Sequence, residues 1–368
     1  MFLAVLIAIA ILFLIILVHE LGHFISARLF GMKTPVVGLG LPFWGPTWII
    51  FKTKNIEFRL HPVLLGAYVA IPEMDDESAK EFEEQFAIEL GEKREFPMWQ
   101  KIIVSAAGSL ANIIFALLLT FILIFSSGKP VERIMISTIE NNASQEIKEN
   151  FKAADLIIQI QDKKILKSED LINILGKNKG KQVNVIIERE NKLINLNLKV
   201  NEEGRFGISI SSLAQFKKDN TNFIQNIKYS FEQFANYFAF CFSMIKKIII
   251  SPFLHLTGQG KSAVQIKELS GIIKVTEMLA KIVQEGFPYA IQLWAVFSIY
   301  IGLFNLIPLL PLDGGHILFQ IIEIFTGRSK IEKIREYTAQ IGLTLCLMLV
   351  VIVTLNDLGI WKLIDKFF

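Results

Sequence analysis

An unbroken apolar run from Phe2 to Val18 leads straight into His19-Glu20-Leu21-Gly22-His23. Nothing else restricts the fold as strongly. A helix over residues 3–29 is long enough for the bilayer's hydrocarbon core, which takes about 20 apolar residues. In that helix the two histidines lie one turn apart on one face, so both imidazoles can point at one metal ion. Glu20, one residue along, can reach a water held there. An HExxH pattern alone is weak evidence, because it arises by chance in long chains. Its place inside a span strengthens it, since two imidazoles and a carboxylate are costly at that depth and mark a functional site by default.

The 368 residues are 52% hydrophobic and 20% charged, too apolar for an ordinary soluble enzyme and too charged for a bare membrane bundle. A few spans with one or more aqueous segments fit both figures. A net charge of +3 carries no nucleic-acid signal. Cys241 and Cys346 stand far apart in apolar surroundings and suggest neither a disulfide framework nor a thiolate site, so a metal must rely on histidine and carboxylate. His61 and His255 stand in loop-like contexts and read as bystanders. The first run resembles the apolar part of a signal peptide but lacks a basic start and a small-residue cleavage site, and it reads as a retained span. Arg28 and Lys33 follow it directly, which places the amino terminus outside and the HELGH end toward the cytoplasm.

Gly and Pro between Gly31 and Pro46 read as a loop with tight turns at the membrane surface. Trp48 to Phe51, and then Ile56, Phe58 and Leu60 alternating with Glu57 and Arg59, suggest a β-hairpin beside the site. An open edge there could pair with an extended substrate segment, or the hairpin could merely pack on the membrane surface. Residues 73–95 are dense in acids and read as a solvated helix and loop. A second apolar segment, Ile102 to Phe125, contains Ala106-Ala107-Gly108-Ser109-Leu110-Ala111-Asn112. Small residues let helices approach closely, and Asn112 needs a hydrogen-bond partner; helix packing and catalysis both explain the stretch.

Val131 to Ser212 has the pattern of a small soluble β/α module. Its β-rich runs are Gln182 to Ile187 and Leu193 to Val200, and a helix with an N-cap signature spans Ser168 to Leu175. Residues 223–256 suit amphipathic helices on or dipping into the bilayer surface, with a span from Tyr237 to Ile250 left open. A third apolar segment, Phe287 to Ile307, runs into Pro308, Pro311 and Asp313-Gly314-Gly315-His316. Non-helical backbone at that depth must be buried in protein or line a wet cavity. A short helix from Ile317 to Phe325 and a basic loop from Arg328 to Arg335 precede the last span, Tyr337 to about Leu358. Four spans place both termini and the 127–286 region outside, and the 31–100 loop inside.

Zinc in a hydrolase commonly takes three protein ligands and leaves a fourth position open. His19 and His23 supply two, and Asp313, at the cytoplasmic end of the third span, lies at the same depth and is the best third. Zinc would acidify water, and Glu20 would take its proton and pass it to the leaving amine, hydrolysing an amide in or beside the bilayer. Asn305 could hydrogen-bond the developing oxyanion or position the substrate, and it could equally cap the broken helix. His316 as a fourth ligand would close the position that water needs.

HELGH in the first span, with Asn305 to Gly315 ending the third, resembles the paired signatures of site-2-type intramembrane zinc metalloproteases, bacterial regulators of intramembrane proteolysis. The likeness covers nearly the whole chain. Gly38-Leu39-Gly40 with Gly45-Pro46, Leu65 to Val69, Ala107-Gly108 with Asn112, and Leu269-Ser270-Gly271 are similar to further landmarks, in order. The resemblance implies zinc held by His19, His23 and Asp313, with Glu20 as catalytic acid and base. It implies a bacterial inner-membrane enzyme, both termini periplasmic and the active site toward the cytoplasm. Its substrates would be single-span membrane proteins, such as anti-sigma factors or leftover signal peptides, first cut by a site-1-type protease. The expected fold is a polytopic α-helical membrane protein of about four transmembrane helices, with a membrane-associated β-hairpin and one extracytoplasmic PDZ-like β/α domain.

The expected organisation is a membrane half over 1–126, with spans 3–29 and 100–126 flanking a loop and hairpin over 31–98. A PDZ-like domain over 127–212 and an amphipathic segment over 213–286 follow. A second membrane half over 287–368 holds spans 287–309 and 337–360 around the Leu312-Asp313-Gly314 motif. Departures from the family pattern are Leu310, Ser109 and Ile272 in place of prolines and Ala67 in place of a glycine. None touches a ligand. Asn150 to Asp155 departs from the Gly-Asp turn of a peptide-binding PDZ. A non-catalytic membrane adaptor recruiting partners through this module is the alternative, but such a chain should have lost a ligand or Glu20, and all four are present. A transporter is disfavoured by four spans without an internal repeat.

Overall fold

The computed structural model describes residues 2–40, 46–62, 66–74, 94–140, 143–165, 167–189, 192–218, 221–256, 282 and 285–357. In chain order, α1 (Phe2–Leu29) is followed by four short strands, β1 (Val36–Leu39), β2 (Trp48–Lys52), β3 (Glu57–Leu60) and β4 (Ala67–Val69), and by α2 (Met98–Ser127). Next come β5 (Lys129–Ile139), α3 (Gln145–Asn150), β6 (Leu156–Ile160), β7 (Lys163–Lys164), α4 (Ser168–Lys177), β8 (Gln182–Arg189), β9 (Lys192–Lys199) and β10 (Ile208–Lys217). The chain ends in α5 (Phe223–Leu256), α6 (Phe287–Asn305), α7 (Asp313–Thr326) and α8 (Arg328–Asp357). Two compact units divide it, one of residues 1–123 with 227–368 and the other of residues 124–226.

In the first unit, Ile9–Leu29, Met98–Ser127, Phe287–Asn305 and Lys333–Leu355 are long and apolar enough to cross a membrane. Large apolar side chains stay exposed along them, among them Ile114, Leu118 and Ile122 on α2 and Ile341, Leu345 and Met348 on α8. Such faces suit lipid rather than water. The chain is a polytopic membrane protein. The most enclosed of the four segments is on α2. Here α5 is one continuous helix of 34 residues, about 50 Å long at the usual rise. It packs on α2 through Phe121 and Phe231, whose ring centroids lie 5.3 Å apart. On α6, the Cys241 thiol donates to the Val296 carbonyl at 3.5 Å. The segment expected on the bilayer surface therefore buries one side against two candidate spans.

Three local readings of the sequence are corrected. Residues 36–39, taken for loop, form β1, which pairs parallel with β3 and antiparallel with β4. In place of an isolated hairpin there is a four-stranded sheet in the order β2-β3-β1-β4. Four residues are too few for alternation to stand out, and Gly38 is needed for a tertiary reason: a Cβ there would overlap the Tyr68 ring. The basic segment from Arg328, taken for loop, is the first part of α8. The helix expected at Ile317 starts at Asp313 instead.

The second unit is a six-stranded sheet, β10-β5-β6-β8-β9 with β7 on β6, packed with α3 and α4 around Ile134, Ile136, Phe151, Ile157 and Leu198. Its last strand runs on to Lys217. Ser168 is the first helical residue of α4 rather than its cap, and the Asp170 carboxylate accepts from the Lys167 amide at 3.0 Å. The Asn150 to Asp155 turn places Ala154 at φ +71°. Asp155, 1% exposed, accepts from Arg189 Nε and Nη2 at 2.6 and 2.7 Å and from the Lys152 amide at 2.7 Å. The expected acidic helix over 73–95 and the Leu269-Ser270-Gly271 landmark lie largely or wholly outside the described residues.

Candidate metal centre

The α1 helix carries His19 and His23 to the face that meets α2, and glycine sets how close the two helices come. A Cβ on Gly22 would overlap the Ala107 carbonyl and the Ala111 methyl, and one on Gly108 would overlap the His23 ring. The His23 imidazole thus lies in a slot that only glycine leaves open. Also against α2, a Cβ on Gly302 of α6 would sit 2.8 Å from the Ser109 carbonyl oxygen. The stretch of small residues in α2 therefore seats both helices, as close packing in membranes requires.

Asp313 comes from the far end of the chain. After α6 the backbone turns through residues 306–312 and re-enters a helix at Asp313. Gly314 and Gly315 press against the carbonyls of Leu306, Ile307 and Leu309, where no side chain fits. Buried between helices, Ser105 on α2 and Gln320 on α7 exchange hydrogen bonds at 3.1 and 3.3 Å and hold α7 in place. His19 Nε2 then lies 3.2 Å from Asp313 Oδ2, His23 Nε2 lies 3.5 Å from Asp313 Oδ1, and the two Nε2 atoms lie 3.2 Å apart. The three side chains offer one ligand atom each, all within 4.8 Å of one another.

These separations test the donor set. Around a tetrahedral zinc with bonds of about 2.0–2.1 Å, neighbouring N and O ligand atoms lie about 3.3–3.4 Å apart. The contacts formed here are of that size, with the two Nε2 atoms 3.2 Å apart and each 3.2 or 3.5 Å from one of the two Asp313 oxygens. Further contacts come from α2. His23 Nδ1 is 2.7 Å from the Val104 carbonyl oxygen, a contact made by an Nδ1–H, which leaves Nε2 bare. Ser109 Oγ donates to Asp313 Oδ2 at 3.3 Å, and the Asn112 amide lies 3.4 Å from His19 Nδ1.

A cavity of about 290 Å³ opens beside the triad, lined by His23 and Asp313, by Val69 and by His316, Gln320 and Arg335. Glu20 is half-buried, and its carboxylate accepts from the Val69 backbone amide of β4. His316 faces the cavity but stands outside the triad. Asn305 is the last residue of α6, half-buried, and is among neither the triad nor the cavity lining; its side chain makes no hydrogen bond among the described residues. Sequence reasoning named Ser109 and Val69 without giving either a role at the site, and did not single out Gln320. A Ser or Gln inside a span was the available signal, since a polar side chain there must find a partner.

Comparison with known proteins adds an independent line. Residues 7–349 match the model of Peptidase family M50. A Fusobacterium nucleatum protein named "Putative zinc metalloprotease FN1322" is 28% identical over 367 residues, 98% of this chain and 99% of its own length. Proteins with the same description from Agrobacterium fabrum and Clostridium perfringens are 27% and 28% identical, covering 95% and 94% of this chain and 94% and 95% of their own lengths. A match running from the HELGH helix to the last candidate span takes in every element that builds the triad, and the chain belongs to Peptidase family M50.

Proposed function

We propose that this membrane peptidase is a zinc metalloprotease that hydrolyses peptide bonds within or beside the membrane-spanning segment of single-span proteins. The observation that supports it is the triad itself: two Nε2 atoms 3.2 Å apart, each within 3.5 Å of an oxygen of Asp313, brought together from helices nearly 300 residues apart in sequence. His19, His23 and Asp313 would hold the ion. Zinc bound there supplies Lewis acidity toward a water and toward the scissile carbonyl. Glu20 removes the proton from the attacking water as its oxygen bonds to the carbonyl carbon. The same carboxyl then gives that proton to the amine nitrogen as the C–N bond breaks.

The β4 strand, at an edge of its sheet and lining the cavity through Val69, supports docking of an extended substrate segment by strand addition. Asn305, at the end of α6, would position the substrate or its oxyanion. The β/α unit supports a PDZ-like domain outside the cytoplasm, which would exclude substrates not yet cut by an upstream site-1-type protease. The basic residues after α1 favour a bacterial inner-membrane enzyme with periplasmic termini and a cytoplasm-facing site.

Glu20→Gln is the direct test. The purified variant is expected to bind zinc like the parent while cleavage of a membrane-anchored reporter falls by at least about 100-fold. Normal cleavage by that variant would refute the mechanism.

A further inference from the structure

The reach of α2 into the triad points past helix packing. We propose that Asn112 is the positioning residue for His19, its Oδ1 accepting the Nδ1–H so that Nε2 presents its lone pair to the metal. A histidine that ligates through Nε2 carries its proton on Nδ1, and that proton needs an acceptor. Among the described residues, Asn112 is the one side chain in hydrogen-bond reach of His19 Nδ1. Asn112 is 0% exposed, and its Oδ1 is buried with no hydrogen-bond partner, while Nδ2 lies at 3.4 Å from the ring. Amide oxygen and nitrogen exchange by a half-turn about the last side-chain bond, and the hydrogen-bond network decides between them. Nδ2 facing His19 would call for an unprotonated Nδ1 and put the proton on Nε2, where the ligand lone pair must be. The half-turn removes that conflict and gives the orphaned oxygen its donor.

The backbone and Cβ of Asn112 are held by α6. Ser298 Oγ donates to the Asn112 backbone carbonyl at 2.8 Å, and the helix closes so tightly that a Cβ on Gly302 would sit 3.3 Å from the Asn112 Cβ. The same face of α2 treats each member of the triad alike. The Val104 carbonyl orients His23, Ser109 holds Asp313, and Asn112 holds His19. One helix therefore orients all three side chains, although it supplies no ligand.

The inference rests on the zinc reading, and the test separates the two. Zinc affinity is measured by chelator competition on the full chain in detergent, for the parent, His19→Ala, Asn112→Leu and Asn112→Asp, with the absorption of the cobalt-loaded forms as a second readout. Asn112→Leu keeps the volume and removes the acceptor, and is expected to weaken zinc 10- to 100-fold, the range for loss of such a partner. Asn112→Asp keeps an acceptor and is expected to stay within about threefold of the parent with an unaltered cobalt spectrum. Parent-like affinity in Asn112→Leu would overturn the inference, and so would an equal loss in both variants, which packing alone would produce. If Asn112→Leu does not fold, a tenfold loss in Asn112→Asp overturns it by itself. Failure of the parent to bind zinc more tightly than His19→Ala would instead sink the zinc reading.

Discussion

Asp313 shows how much of the site rests on single atoms. Its two oxygens face the two Nε2 atoms at 3.2 and 3.5 Å, with Ser109 as a further donor. Asp313→Ala removes a proposed ligand rather than a neighbour of one. It is expected to weaken zinc by more than the roughly 100-fold that outer partners contribute, read by metal content after purification. Unchanged stoichiometry would take Asp313 out of the ligand set. At this scale the HELGH pair was legible because i,i+4 geometry is local. Asp313 was legible because depth in a bilayer relates two spans before any contact is known. Asn112 was legible only as a polar group needing a partner. Which partner it found depended on the rotation of α2 against α1.

Among the elements, the β1–β4 sheet carries a titratable pair that the sequence passed over. His61, 1% exposed, has Nε2 3.0 Å from the Tyr68 hydroxyl and Nδ1 3.4 Å from Thr47 Oγ1. Burial, with Arg59 nearby, pushes its pKa below the usual imidazole value, and burial pushes the Tyr68 hydroxyl up to about 12. A depressed base binds fewer protons folded than unfolded, so below the unfolded pKa of about 6.5 stability falls as pH falls. Amide hydrogen exchange at Ala67–Val69, corrected for intrinsic rate, is therefore expected to show less protection at pH 5 than at pH 7. His61→Phe should remove the difference; an equal pH effect in that variant would assign it elsewhere. The sheet escaped sequence reading because β1 is four residues long and its register with β3 is parallel. Parallel pairing between strands separated by another strand leaves no local signature.

In the whole molecule the two compact units rest on different physics. The 124–226 unit is a packed β/α core whose buried Asp155 carboxylate depends on Arg189. Leaving such a charge unpaired costs about 3–5 kcal/mol. Arg189→Met is expected to lower the unfolding free energy of that unit by this amount, measured by hydrogen exchange of β6 and β8 amides in the full chain, with zinc content unchanged. A loss of zinc in that variant would contradict the independence of the two cores. The sequence by itself determined the solvent of each segment, the class of the chain and the chemistry of its ligands. Hydropathy, helical spacing and the cost of charge in lipid are properties of short stretches. Only the tertiary structure decided that α2 packs against both α1 and α6, that glycines at 22, 108 and 302 set the distances, and that Ser109 and Asn112 face the triad. Those outcomes depend on how helices rotate and close on one another, which is settled by side chains hundreds of residues apart.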